Sequence, residues 1–167
     1  SGINNFTYLV ESESYQEDFI KFKELTNYKK LGIIIENHII DLLPIRETFD
    51  KEFEAIDAEY KLIPFETVSD ITSNLDGVDA VYLASGFFLK DNEVNILAKA
   101  FINKQLPSFT NNSIKQVKLG IMATNQPQDN FDQFIRRVSL SVEGYINGEL
   151  LSDMPVFIDY SSRLTMN

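Results

Sequence analysis

Four short polar clusters, each directly following an apolar run, hold the groups of this chain that could contact a ligand: Glu36-Asn37-His38, Ser85-Gly86-Phe87-Phe88, Asn111-Asn112-Ser113 and Thr124-Asn125-Gln126. Their chemistry is that of recognition rather than bond-making. Asparagine amides both donate and accept, which suits a neutral or zwitterionic solute, although the same residues are ordinary turn formers. Glu36 has two readings, as a receiver for a ligand's amino group or as a cap for the amides of a following helix. His38, the only histidine, reads either as a cleft residue or as a strand-end imidazole bonded to a nearby carbonyl. Phe87 and Phe88 are adjacent in an extended segment, so their side chains point opposite ways and at most one packs inward.

The machinery of the common α/β enzymes is missing. There is no GxGxxG after the first apolar run and no GxxxxGK[ST], so the loops that bring backbone amides to a phosphate are absent. No GxSxG elbow occurs, and Ser85 stands where a phospho-acceptor domain would need an aspartate. The absence of cysteine removes disulfides, zinc-thiolate sites and thiol nucleophiles. The expectation is a non-enzyme with neither metal nor cofactor. Fifteen basic against 25 acidic residues, a net charge of -10, argues against nucleic acid and anionic lipid, both of which need a positive surface. No apolar run approaches the roughly 20 residues of a membrane helix. Ser1-Gly2 at the start reads as an expression scar on an excised segment, so a targeting sequence can have been removed.

The elements that must position these clusters alternate. After an extended piece at 3–10, Ser14 and Glu17 have capping-box spacing, and Tyr15, Phe19, Phe22 and Leu25 share one helical face over 14–26. Residues 30–36 are the first buried strand. Leu42, Ile45, Phe49, Phe53 and Ile56 predict a helix with Pro44 in its first turn. "EYKLIPF" is a second strand, placed toward the sheet edge because Pro64 cannot donate to a ladder. A short helix over 69–75, the strand "DAVYLAS", a helix from Asp91 to about Ile102 and the strands "LPSFTN" and "KLGIMATN" follow. Phe131, Phe134, Ile135, Val138, Val142, Tyr145 and Ile146 predict the longest amphipathic helix, closed by Asn147-Gly148 before the strand "MPVFIDY". Such alternation predicts an α/β doubly wound, mainly parallel five-stranded sheet of order 2-1-3-4-5, with helices on both faces. In that topology ligands sit beyond the carboxyl ends of the strands, where the four polar clusters fall.

The order of motifs resembles the substrate-binding proteins of ABC transporters that share the type 1 periplasmic-binding fold, in the branch with amino-acid-like ligands. The resemblance rests on "NNFTYLVES", "YKKLGIIIEN", "VDAVYLASGFF", "LPSFTNN", the stretch from "VKLGIMATNQPQDNF" to "NGELLSDMPVFI", and "SRLTMN". It implies the second lobe only, a single α/β lobe over 3–167 in which 3–10 and 155–167 cross to a first lobe that is missing here. By position the family's cleft loops fall on Asn37, Ser85, Gly86, Phe87, Asn111, Asn112 and Asn125. The implied function is non-catalytic binding of a small, amino-acid-like solute between two hinged lobes in the periplasm or cell envelope, with a membrane transport protein reading the closed form. Where the family has a polar Thr- and Asp-containing turn after the third strand, this chain has "SGFFLKD", which leaves the ligand open. Two other readings stand beside it: an interaction module of a larger envelope protein such as an outer-membrane efflux channel, and a doubly wound enzyme domain.

Overall fold

The computed structural model describes residues 7, 8, 10, 11, 15–86, 88–127, 130–154, 156–158 and 163–167. The chain divides into two compact units, Ser14–Gln126 with Arg163–Asn167, and Ser1–Glu13 with Pro127–Ser162.

The larger unit is built on β2 (Lys30–Glu36), whose residues from Leu31 to Glu36 are all buried. A strand buried on both faces needs partners on both edges and helices on both sides. Its partners are β3 (Glu59–Phe65) and β4 (Ala80–Leu83), both parallel; Lys30 pairs with Glu59, and Leu31 with Ala80. Beyond β4 come β5 (Ser108–Thr110) and β6 (Ala123–Thr124), also parallel. The order β3-β2-β4-β5-β6 is the expected 2-1-3-4-5. The sheet is not five-stranded, however. A sixth strand, β8 (Thr165–Met166), pairs antiparallel with β6, covering an edge that would otherwise stay open. Pro64 does lie in the strand at the opposite edge.

Alternation along β2 feeds two cores. Leu31, Ile33 and Ile35 face α1 (Tyr15–Thr26) and α3 (Ile45–Phe53), in a layer dominated by Phe19, Phe22, Phe49, Tyr82 and Phe109. The rings interlock, with Phe19 and Tyr82 4.8 Å apart edge to face and Tyr82 stacked 5.8 Å from Phe109. Such pairs add about 0.5–1.5 kcal/mol each beyond the area they bury. Ile34 faces the other way, toward α4 (Val68–Ser73) and α5 (Asp91–Asn103), with Ile63, Ile71, Val81, Leu97 and Phe101.

Three local expectations are corrected and one boundary is refined. A helix, α2 (Asn37–Leu42), starts immediately after β2, and Leu43 and Pro44 separate it from α3, because proline cannot supply the amide that a continuous helix would need. The 69–75 helix begins at Val68 because Thr67 and Asp70 form a capping box, the Asp70 carboxylate accepting from the Thr67 amide at 2.8 Å. "VKLG" is not strand: α6 (Ile114–Lys118) ends there, and Gly120, at φ 114°, turns the chain into β6. Leu25, expected on the inner face of α1, is 40% exposed.

In the smaller unit β1 (Val10–Glu11) pairs parallel with β7 (Phe157–Ile158). The long amphipathic helix is α7 (Asn130–Ile146). It ends as expected, with Gly148 at φ 93° and amides of Gly148 and Glu149 bonded to the carbonyls of Tyr145 and Gly144. The expected Ser14 cap lies outside the described residues.

Candidate functional site

Because β2, β4, β5 and β6 run parallel, their carboxyl ends lie along one edge of the sheet, and the four polar clusters follow from it. Buried hydrogen bonds fix this edge. Ser85, 2% exposed, accepts the Glu36 amide on its Oγ at 2.8 Å, tying the end of β4 to the end of β2. Thr110 donates through Oγ1 to Gln116 Oε1 at 2.5 Å, and Thr124 through Oγ1 to the Thr110 carbonyl at 2.6 Å. These bonds tie neighbouring strand ends to one another.

The described members of the expected set take the following places. Asn37 opens α2 and donates to Glu66 Oε1 at 3.2 Å. Gly86 is buried, and a Cβ there would stand 3.2 Å from Leu89 Cδ1. Asn112 directs its amide nitrogen at the Leu83 carbonyl, Thr110 Oγ1 and Gln116 Oε1, which leaves its carbonyl oxygen turned away from that set. Asn125 is 6% exposed, its backbone carbonyl accepts from the Arg163 amide at 2.9 Å, and its side chain reaches Glu17 Oε1 at 3.5 Å. Phe87 lies outside the described residues. Phe88 is 77% exposed.

Three buried side-chain oxygens at this edge have no hydrogen-bond partner among the described residues: Asn111 Oδ1, Asn112 Oδ1 and Glu36 Oε2. Leaving such a group unsatisfied costs about 1–3 kcal/mol each. All three are acceptors, so the edge is set to receive donors.

Two recesses along this edge are lined by described residues. A recess of about 350 Å³ lies beside the ends of β2 and β3, with Glu36, Asn37, His38, Glu66 and Phe88 among its walls. A second, of about 240 Å³, takes in Gly86 and Asn112 with Gln116, and the Lys115–Asp91 ion pair at 2.8 Å stands at its mouth. Asn125 lines neither. Leu89 lines both.

Sequence reasoning passed over Asp18. It is buried on α1, its carboxylate accepts from the Tyr82 hydroxyl at 2.6 Å, and burial pushes its pKa up to about 6 against the opposing bonds from Tyr82 and Asn125. The signal was available, since Asp18 falls on the same helical face as Tyr15, Phe19 and Phe22. Glu36 does not cap α2 through its side chain; Oε1 accepts from the Phe88 amide at 3.3 Å instead. His38 is about half exposed, with Nε2 3.9 Å from Glu36 Oε2 and its ring 5.7 Å from that of Phe88. No cluster of His, Asp or Glu among the described residues has the arrangement of a metal site.

No protein-family model matches the chain, and no curated protein matches it in sequence. Solved structures do. The chain is similar to an ABC domain from Streptococcus pneumoniae in complex with L-Trp, with a TM-score of 0.76 at 16% identity over 98% of this chain and 56% of that one. A conserved domain protein from Vibrio cholerae gives 0.75 at 15% identity, over 97% of this chain and 55% of that one. The ligand-free, open form of a substrate-binding protein with adhesive properties from Clostridium difficile gives 0.68 at 14%, over 99% and 59%. The chain thus spans a little over half the length of these structures. With its doubly wound parallel sheet, it folds as one lobe of a type 1 periplasmic-binding fold.

Proposed function

We propose that this chain is a non-catalytic binding lobe for a small, amino-acid-like solute, part of a substrate-binding protein of the ABC-transporter type that works in the periplasm or cell envelope. The unpartnered acceptor oxygens of Asn111 and Asn112 at the carboxyl edge of the parallel sheet carry this reading. An amino acid's ammonium or backbone N–H would satisfy them, and the gain is the penalty they pay when empty. Asn37, Ser85, Gly86, Phe87, Asn111, Asn112 and Asn125 form one wall of the cleft in this reading. The other wall belongs to a first lobe of the same protein, and closure of the two over solute is the signal a membrane transport partner reads. The substrate-binding description and the L-Trp complex among the similar structures support the assignment.

Half a cleft binds weakly, so the test is titration calorimetry of this chain against a panel of amino acids at millimolar concentration. Heat with at least one member, lost in Asn112→Ala, is expected. No heat with any member overturns the reading.

A second reading, an interaction module of a larger envelope protein such as an outer-membrane efflux channel, is favoured by one feature. In the smaller unit, α7 exposes Ile135, Val142, Tyr145 and Ile146 along one side, a face suited to another protein surface. In the first reading that face, with the segments 3–10 and 155–167, packs into the missing lobe.

A further inference from the structure

We propose that the recess beside the ends of β2 and β3 is a site for a small primary alkylammonium ion, with Glu36 as its charge partner. The inference rests on groups separate from Asn111 and Asn112. Glu36 is only 4% exposed, yet Oε2 has no hydrogen-bond partner among the described residues. His38 Nε2, at 3.9 Å, is too far for a hydrogen bond and sits on a half-exposed ring. Burying a carboxylate oxygen without a donor is costly, and a ligand N–H removes the cost.

The surroundings select the ligand's charge and shape. Glu66 and Glu93 add two more carboxylates to the walls, and no lysine or arginine lines the recess. Each of those two already accepts one bond, Glu66 from Asn37 Nδ2 at 3.2 Å and Glu93 from the Lys90 amide at 2.7 Å, which holds them in place. Phe65, Val68 and Leu89 supply apolar wall for a methylene chain, and Phe88, its ring 5.7 Å from that of His38, adds an aromatic group to the lining. The volume, about 350 Å³, is that of a small-molecule site. A metal ion is a poor alternative, since among the described residues the acids do not converge as ligands. The ammonium head of a diamine or of a basic amino acid's side chain fits.

The experiment is a titration of the ¹⁵N-labelled chain with n-butylammonium and, separately, with neutral n-butanol. Saturable shifts at the amides of Glu36, Asn37 and Phe88 with butylammonium, and at least about ten-fold weaker binding of the isosteric alcohol, are expected from loss of a charge-assisted bond. Glu36→Gln should weaken the amine by a similar factor. Because a buried substitution can impair folding, the surface variant Glu66→Gln is run beside it and should weaken the amine by about two- to five-fold. Equal binding of amine and alcohol, or unchanged amine binding in both variants, overturns the proposal. Failure here with amino-acid heat still lost in Asn112→Ala leaves the solute-lobe reading standing. The converse result sinks that reading alone.

Discussion

The Tyr82 hydroxyl donates to the Asp18 carboxylate across 2.6 Å inside the aromatic layer between α1 and the sheet. This bond joins the centre of the fold to the carboxyl edge of the sheet, because the same Asp18 is also hydrogen-bonded by the side chain of Asn125 at the end of β6. Burial outweighs both bonds and raises the Asp18 pKa from 3.8 to about 6.

A stability profile follows with a definite sign. Between pH 3.8 and about 6 the folded chain holds a proton that the unfolded chain releases, so the Asp18 contribution is complete below that window and is lost as pH rises through it. Asp18→Asn removes the titration. Its stability relative to the parent should therefore rise by about 3 kcal/mol at most between pH 4 and pH 7. Urea denaturation at the two pH values measures this, and a pH-independent difference would count against the buried-carboxylate account.

Phe109 and Phe88 should respond oppositely to truncation. Phe109 is fully buried between Tyr82 and Phe22, so Phe109→Ala should cost about 3–5 kcal/mol. Phe88 is 77% exposed, and Phe88→Ala should stay within about 0.5 kcal/mol of the parent while weakening alkylammonium binding. Thermal unfolding of the two variants side by side is sufficient.

Gly120 is where the backbone tolerates only glycine. At φ 114° and with the position of a Cβ 2.9 Å from Ala98 Cβ, Gly120→Ala should lose about 1–3 kcal/mol. Gly77→Ala, at φ 77° but in open space, should lose less. Equal losses would mean that contact with α5 contributes nothing.

Much of the sheet was legible because its strands are long or wholly apolar. "LGIII" and "DAVYLAS" can only be buried parallel strands, and Pro64 placed its strand at the edge. What escaped was short or defined by contacts. Thr165 and Met166 are too few to announce a strand, and their pairing depends on Ala123 and Thr124 offering an open edge. α6 was hidden because "VKLGIM" is apolar enough for a strand, and only the turn at Gly120 divides it. At the site, polar strand ends were readable, whereas which of them line a recess depends on tertiary contacts such as those of Leu89, which lines both recesses. The choice for Glu36 between capping a helix and facing a ligand was undecidable from residue types, since either uses a carboxylate at a strand end.

The location of solute binding tests the central claim most directly. Amide shifts of the labelled chain, titrated with the amino acid that gives the largest heat, should concentrate at Asn37, Gly86, Asn111, Asn112 and Asn125, leaving the amino ends of the strands near Lys30 and Ala80 unmoved. Shifts centred on those opposite ends, or spread over α7 alone, would contradict it.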